Sequence, residues 1–162
     1  MKLTLEGALT KLMKYEITLE DVPEEIKTAK FWFEVVRRNG KSLKHVPKEL
    51  KTEGLCRKAV KSSSAALEYV PEELKTEELC FMAMRHYRRA LLYVPEKIKT
   101  VEFCFGLVKA NGKLLEYVPE KIKTAEMCFE AVNNNRNAIK YIPEKLAAAK
   151  LFLQAMINDK TI

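Results

Sequence analysis

The chain has 162 residues, 48% of them hydrophobic and 31% charged, with a formal net charge of +7. That composition belongs to a folded chain with a sizeable core, not to a disordered tail. No apolar run approaches the roughly 18–20 residues that span a bilayer. The opening stretch, Met1-Lys2-Leu3-Thr4-Leu5-Glu6-Gly7, has an acid where a secretory signal has its apolar segment. The expectation is a cytoplasmic protein, or one delivered to a host cell without a cleavable signal.

Residues 1–22 do not follow the repeat that governs the rest. Within them Leu5, Ala8, Leu9, Leu12 and Met13 fall on one helical face and predict a capping helix. From there the chain is periodic. Its six prolines stand at 23, 47, 71, 95, 119 and 143, always 24 residues apart. Each unit reads Pro, two charged residues, Leu or Ile, then Lys-Thr in the first five units. Nine residues after the proline come Trp32, Cys56, Cys80, Cys104, Cys128 and Phe152. Each of the first five units closes on His45 or a tyrosine (69, 93, 117, 141), then Val or Ile, before the next proline.

Positions eight, nine, twelve and thirteen after the proline are apolar, the stripe of an amphipathic helix. The threonine at position five is a natural N-cap, so a first helix runs from about position six to about sixteen. Gly40 and Gly112 stand just past its end, where a left-handed C-cap residue is expected. A shorter helix follows, as in Ala65 to Val70. The proline stops it, because the residue before proline is pushed out of helical geometry. Pro-Glu-Glu-Leu-Lys then forms one turn, with its Leu or Ile returning to the core.

A 24-residue unit cannot bury its own apolar face, whereas stacked neighbours can. The predicted fold is all-α: an α-solenoid of six 24-residue helical repeats behind an N-terminal capping helix. It forms a single repeat domain over 1–162. Residues 1–22 form the cap, 23–146 hold five full repeats, and 143–162 are a truncated last repeat whose helix closes the stack.

The unit Tyr-Val-Pro-Glu-Glu-Leu-Lys-Thr-Glu-Glu-Leu-Cys (69–80), followed by Ala-Val or Ala-Met and by Asn-Gly, resembles a short helical repeat known only as a domain of unknown function. Similar arrays occur in bacterial proteins, including secreted effectors of intracellular pathogens, and in phage or viral proteins. The resemblance runs from Leu19 to Met156. It implies no catalytic residue and no cofactor, and it implies binding of an inhibitory or effector type. The chain departs from the pattern at Trp32, at Gly54, at Ser62-Ser63-Ser64 and at Arg85-His86-Tyr87-Arg88-Arg89.

The four cysteines share one repeat position, so stacked neighbours lie about 8–10 Å apart, beyond the roughly 7 Å a disulfide allows. No Cys-x-x-Cys and no histidine at ligand spacing accompany them. They read as buried packing residues, and no metal site is expected. With two histidines in different repeats and no phosphate-cradling loop, an enzyme is not expected. The tyrosines pack between units with their hydroxyls outward.

Charge is the informative pattern. Positions fourteen to eighteen of the first five units hold Arg37, Arg38, Lys41, Lys61, Arg85, Arg88, Arg89, Lys109, Lys113 and Arg136, and no acid. His86 and Tyr87 lie among them. Stacking aligns these positions into a basic edge. Helix dipoles favour cations at C-termini by roughly 0.3–1 kcal/mol each, so part of the bias needs no function. The expected function is a non-catalytic protein-interaction module that binds an acidic macromolecular surface, most readily another protein. The alternative is nucleic-acid binding through phosphate contacts on the same residues. Self-association through an unsealed stack end is a third route, and no membrane partner is expected.

Overall fold

The computed structural model describes residues 3–159 and is helical throughout, with no strand among those residues. Seven α-helices alternate with short 3-10 helices. They are α1 (Leu5–Met13), α2 (Ala29–Arg38), α3 (Glu53–Ser62), α4 (Glu77–Met84), α5 (Val101–Ala110), α6 (Ala125–Asn134) and α7 (Ala147–Asn158). The chain, expected as one domain, divides into two compact units, Met1–Leu74 and Lys75–Ile162.

Six of the seven starts are set by a threonine. The hydroxyls of Thr28, Thr52, Thr76, Thr100 and Thr124 accept the N–H groups of Phe31, Leu55, Leu79, Phe103 and Met127 at 3.1–3.4 Å. Thr4 does the same for Gly7 at 3.1 Å and stands 24 residues before Thr28. Part of the repeat register therefore extends into the capping helix, which the sequence pattern alone does not show. The cap continues past α1 not as helix but through Tyr15, in the left-handed region at φ 58°.

After α2 to α6 the chain tightens into six-residue 3-10 helices, Gly40–His45, Ser64–Tyr69, Arg88–Tyr93, Gly112–Tyr117 and Arg136–Tyr141. The residue before each proline leaves helical geometry, as predicted: Val46, Val70, Val94, Val118 and Ile142 have ψ of 123–131°. These residues are buried as well. In the first unit α1 packs on α2 and α2 on α3. In the second, α4, α5, α6 and α7 pack in chain order, and the three six-residue 3-10 helices stack alongside.

The interior is where the period puts it. Cys56, Cys80, Cys104 and Cys128 are each 0% exposed, and none is in a disulfide. Burial pushes the Cys56 and Cys104 thiols from an ordinary 9.0 to about 11 and raises Cys128 too. Trp32 occupies the equivalent position and is buried against Phe31 with ring centroids 5.2 Å apart.

Four expectations change. Phe152, the last residue in the cysteine series, is 62% exposed, and Leu153 is buried instead. Without a threonine cap, α7 starts at Ala147, two positions early, and turns a different face inward. Met13 is exposed although Ala8 and Leu9 on the same helix are buried. The Leu or Ile three residues after each proline is half-buried, and the residue before the proline supplies the core contact instead.

Gly40 and Gly112 are not left-handed C-caps, since no glycine has positive φ among the described residues. They open the following 3-10 helix. Glycine is required there by proximity: a Cβ would sit 2.1 Å from the Ala59 carbonyl oxygen at Gly40, and 2.3 Å from that of Ala131 at Gly112.

In two repeats the lysine before the threonine is a structural clamp. Lys51 Nζ donates to the Tyr69 carbonyl at 3.1 Å, and Lys123 Nζ to that of Tyr141 at 2.8 Å. Lys123 is only 7% exposed, and burial lowers its pKa. These carbonyls end a 3-10 helix just before the proline, where the backbone has no further N–H to offer them.

Two sets of variants test this packing. Gly112→Ala should lower stability by about 1–3 kcal/mol through overpacking. Gly54→Ala, whose Cβ would meet nothing within 4 Å, should raise it by about 0.5 kcal/mol. Urea midpoints read both, and equal effects would contradict the close approach at Gly112. Cys80→Asp should cost about 3 kcal/mol or more, because it buries a charge without a partner. A normal melting curve for that variant would place Cys80 at the surface. Because the thiol pKa values are raised on folding, the stability they contribute is intact below pH 9 and declines between about pH 9 and 11.

Candidate functional site

The residues of the basic edge come from two kinds of helix end. Arg37, Arg38, Lys61 and Lys109 lie in the last turns of α2, α3 and α5, and Arg85 caps α4. There they complement the negative end of the helix dipole. Lys41, Arg88, Arg89, Lys113 and Arg136 lie instead in the first turns of the 3-10 helices that follow. No acid occupies those first turns. The dipole accounts for the first group and opposes the second.

In the first unit, the ends of α2 and α3 are joined by Gly40 N–H donating to Ser62 Oγ at 3.2 Å. This gives the serine run a structural role: Ser62 accepts this bond, and the Ser63 N–H caps α3 at Ala59. Arg37 is held by Glu34 at 2.8 Å, a bond that keeps the Glu34 carboxyl below its usual range. Arg38 Nη1 rests on Met13 Sδ. Lys41 and Lys61 are exposed.

In the second unit, Asn134 ties α6 to α5. Its Oδ1 accepts the Gly112 N–H at 3.2 Å, and its Nδ2 donates to the Lys109 carbonyl at 3.1 Å. A hollow of about 290 Å³ opens beside it, lined by Arg85, Asn111 and Asn134 and by Phe81, Leu107 and Leu114. Arg85 from α4 is thus brought to the joined ends of α5 and α6. Helix α4 stops at Met84, two positions earlier than its counterparts, and Arg85 and His86 form a turn. His86, Arg88 and Arg89 are exposed and Tyr87 is half-buried. The Arg85–Arg89 departure in sequence is therefore a departure in backbone too.

Charge compensation differs between the two edges. At the proline joints, Lys27 pairs with Glu24 at 2.6 Å, Lys99 with Glu96 at 2.8 Å, Lys121 with Glu96 at 3.6 Å and Lys48 with Glu73 at 3.8 Å. At the helix ends, Arg85, Arg88, Arg89, Lys109 and Lys113 form no ion pair among the described residues.

Sequence reasoning missed Asn111, Asn134 and Phe81. The pairings of Asn134 reach 22 and 25 residues back along the chain, so no local pattern marks them. The 24-residue period does repeat the phenylalanine, as Phe33, Phe81, Phe105 and Phe129, and this signal was available. Among the described residues no cluster of three His, Cys, Asp or Glu side chains is placed to hold a metal ion. No described helix is long and apolar enough to cross a membrane.

Neither the curated proteins nor the solved structures offer a match to this chain. A family described as a domain of unknown function (DUF4116) matches twice in tandem, over residues 52–99 and 101–147. Each match spans two periods of the proline spacing, and the pair takes in α3 to α6 with their 3-10 helices. Since the two matches together cover more than half of its length, the chain belongs to this family of unknown function.

Proposed function

We propose that this protein is a non-catalytic interaction module that binds an acidic surface of another protein through its basic edge. In this reading the tandem units form an α-solenoid of six 24-residue repeats behind the capping helix. The module acts as an inhibitor or effector in the cytoplasm, its own or that of a host cell. The observation that carries the reading is the placement of Lys41, Arg88, Arg89, Lys113 and Arg136 at the positive ends of 3-10 helices. Local electrostatics disfavours cations there, and Arg88, Arg89 and Lys113 are exposed with no ion pair among the described residues. An acidic partner would supply the missing counter-charge. Complementary charge at an interface rim speeds encounter and selects partners more than it adds affinity.

Labelled polyglutamate and a labelled single-stranded oligonucleotide, each titrated at low and physiological salt, test the reading. Polyglutamate should bind, and the combined variant Arg85→Glu, Arg88→Glu, Arg89→Glu should weaken it by roughly tenfold or more with the thermal midpoint unchanged. If the variant binds as well as the parent, the basic edge is not the site. If the oligonucleotide alone binds, with a log–log salt slope near −0.7 to −0.9 per phosphate contact, the nucleic-acid reading replaces this one.

A further inference from the structure

The outer faces of α4, α5 and α6 carry a pattern that the basic edge only borders. Seven, ten and fourteen residues after each proline lie three and four apart, so they are neighbours on one helix face. On α4 and its cap these are Glu78, Phe81 and Arg85, on α5 Glu102, Phe105 and Lys109, and on α6 Glu126, Phe129 and Asn133. The α4 set lines a single open hollow together with Glu77 and Met82. Because α4, α5 and α6 pack in order, the faces align into three rows. An acidic row lies at the helix starts, a phenylalanine row runs along the middle, and the row at the helix ends is basic at Arg85 and Lys109.

The middle row is uncovered to a degree unusual for phenylalanine. Phe129 is 40% exposed, and Phe81 and Phe105 are half-buried. Phe81 is held edge-on to Phe103 with ring centroids 6.4 Å apart. Beside it stands Gly106, where even a Cβ would come no closer than 3.8 Å to the Phe81 ring. The absence of a side chain at Gly106 leaves a notch over Phe81.

We infer that this face seats an amphipathic helix of a partner protein. Its apolar stripe lies along Phe81, Phe105 and Phe129, and its acidic flank faces Arg85 and Lys109. The inference rests on the acidic-partner reading above and names the kind of segment that would fit. Helices in contact lie about 8–10 Å apart. A seven-residue step in an α-helix advances about 10.5 Å, so one large apolar side chain per heptad keeps pace with one phenylalanine per repeat. The occupant is helical because these outer faces are helix surfaces and offer no open backbone edge to an extended strand. Charge sets its orientation: Glu102 and Glu126, exposed in the first turns of α5 and α6, reject an acid on the opposite flank and favour a base there.

The test is a labelled synthetic helix with leucine at each heptad position, glutamate on one flank and lysine on the other. A scrambled peptide of the same composition and polyglutamate serve as comparators. The patterned peptide should bind at least tenfold more tightly than the scrambled one. Phe129→Ser, Gly106→Gln and Arg85→Glu should each weaken it by about tenfold. Gly106→Gln improves helix propensity and so separates lost binding from lost folding. Backbone amide shifts should move at Phe81, Phe105 and Phe129 on titration. Equal binding of patterned and scrambled peptides, or indifference to Phe129→Ser and Gly106→Gln while Arg85→Glu abolishes binding, overturns the helix seat and leaves the basic-edge reading standing. Binding that needs the phenylalanines but survives Arg85→Glu and the triple arginine variant removes the acidic-partner reading itself.

Discussion

Six of the seven described α-helices begin on a threonine whose hydroxyl accepts the N–H three residues on, and the rest of the fold depends on where that bond starts each helix. A helix of eight to ten residues is marginal in water by itself. The cap, worth about 1 kcal/mol, fixes the first turn, and the first turn fixes which side chains face inward. Cys56, Cys80, Cys104 and Cys128 are fully buried because each lies four residues after a capped threonine. Helix α7 supplies the contrast within the same chain. Lacking the threonine, it starts two positions early, and Phe152 turns out to solvent.

Short helices in series have a second consequence. In repeats one to five the C-terminus of an α-helix is followed closely by the N-terminus of a 3-10 helix. Asn134 and Ser62 fasten these ends to the preceding unit by bonding Gly112 and Gly40. Backbone and small polar side chains join these ends, while Arg88, Arg89 and Lys113 are exposed and form no ion pair among the described residues. At the proline joints the reverse holds. Lys123 is drawn onto the Tyr141 carbonyl, and Glu24 and Glu96 are paired with lysines.

Much of this was legible in the sequence because a period leaves its mark in every unit. The proline spacing, the threonine caps, the buried cysteines and the all-helical class follow from composition at fixed positions. What escaped lies between units. Gly40 and Gly112 suggested left-handed caps, since helix ends commonly want that conformation. Their real constraint is a carbonyl oxygen of the next unit, at Ala59 and Ala131. Asn134 was invisible for the same reason. The role of Lys123 was not legible either, since the carbonyl that captures it is 18 residues away. Of the candidate site, the cations were legible and the phenylalanine row lay in the period, whereas the links through Asn134 reach 22 and 25 residues back and were not.

The helix dipole is the strongest reason to regard the basic edge as incidental, and its reach can be bounded. It favours a cation by roughly 0.3–1 kcal/mol within the last turn. It therefore accounts for Arg37, Arg38, Lys61, Arg85 and Lys109 at α-helix ends. One or two residues further on, the backbone begins a new helix and the sign reverses. Arg88, Arg89, Lys41, Lys113 and Arg136 then stand where an acid would be preferred. Each carries a small unfavourable contribution, and neighbouring like charges add to it. A chain free to drift toward stability would place Asp, Ser or Asn at these first turns, as Ser64 does in the second repeat. The Arg88-Arg89 pair follows an α-helix cut two positions short, whose cap Arg85 lines a hollow with the half-buried Phe81. The dipole explains neither the shortening nor the Arg88-Arg89 pair.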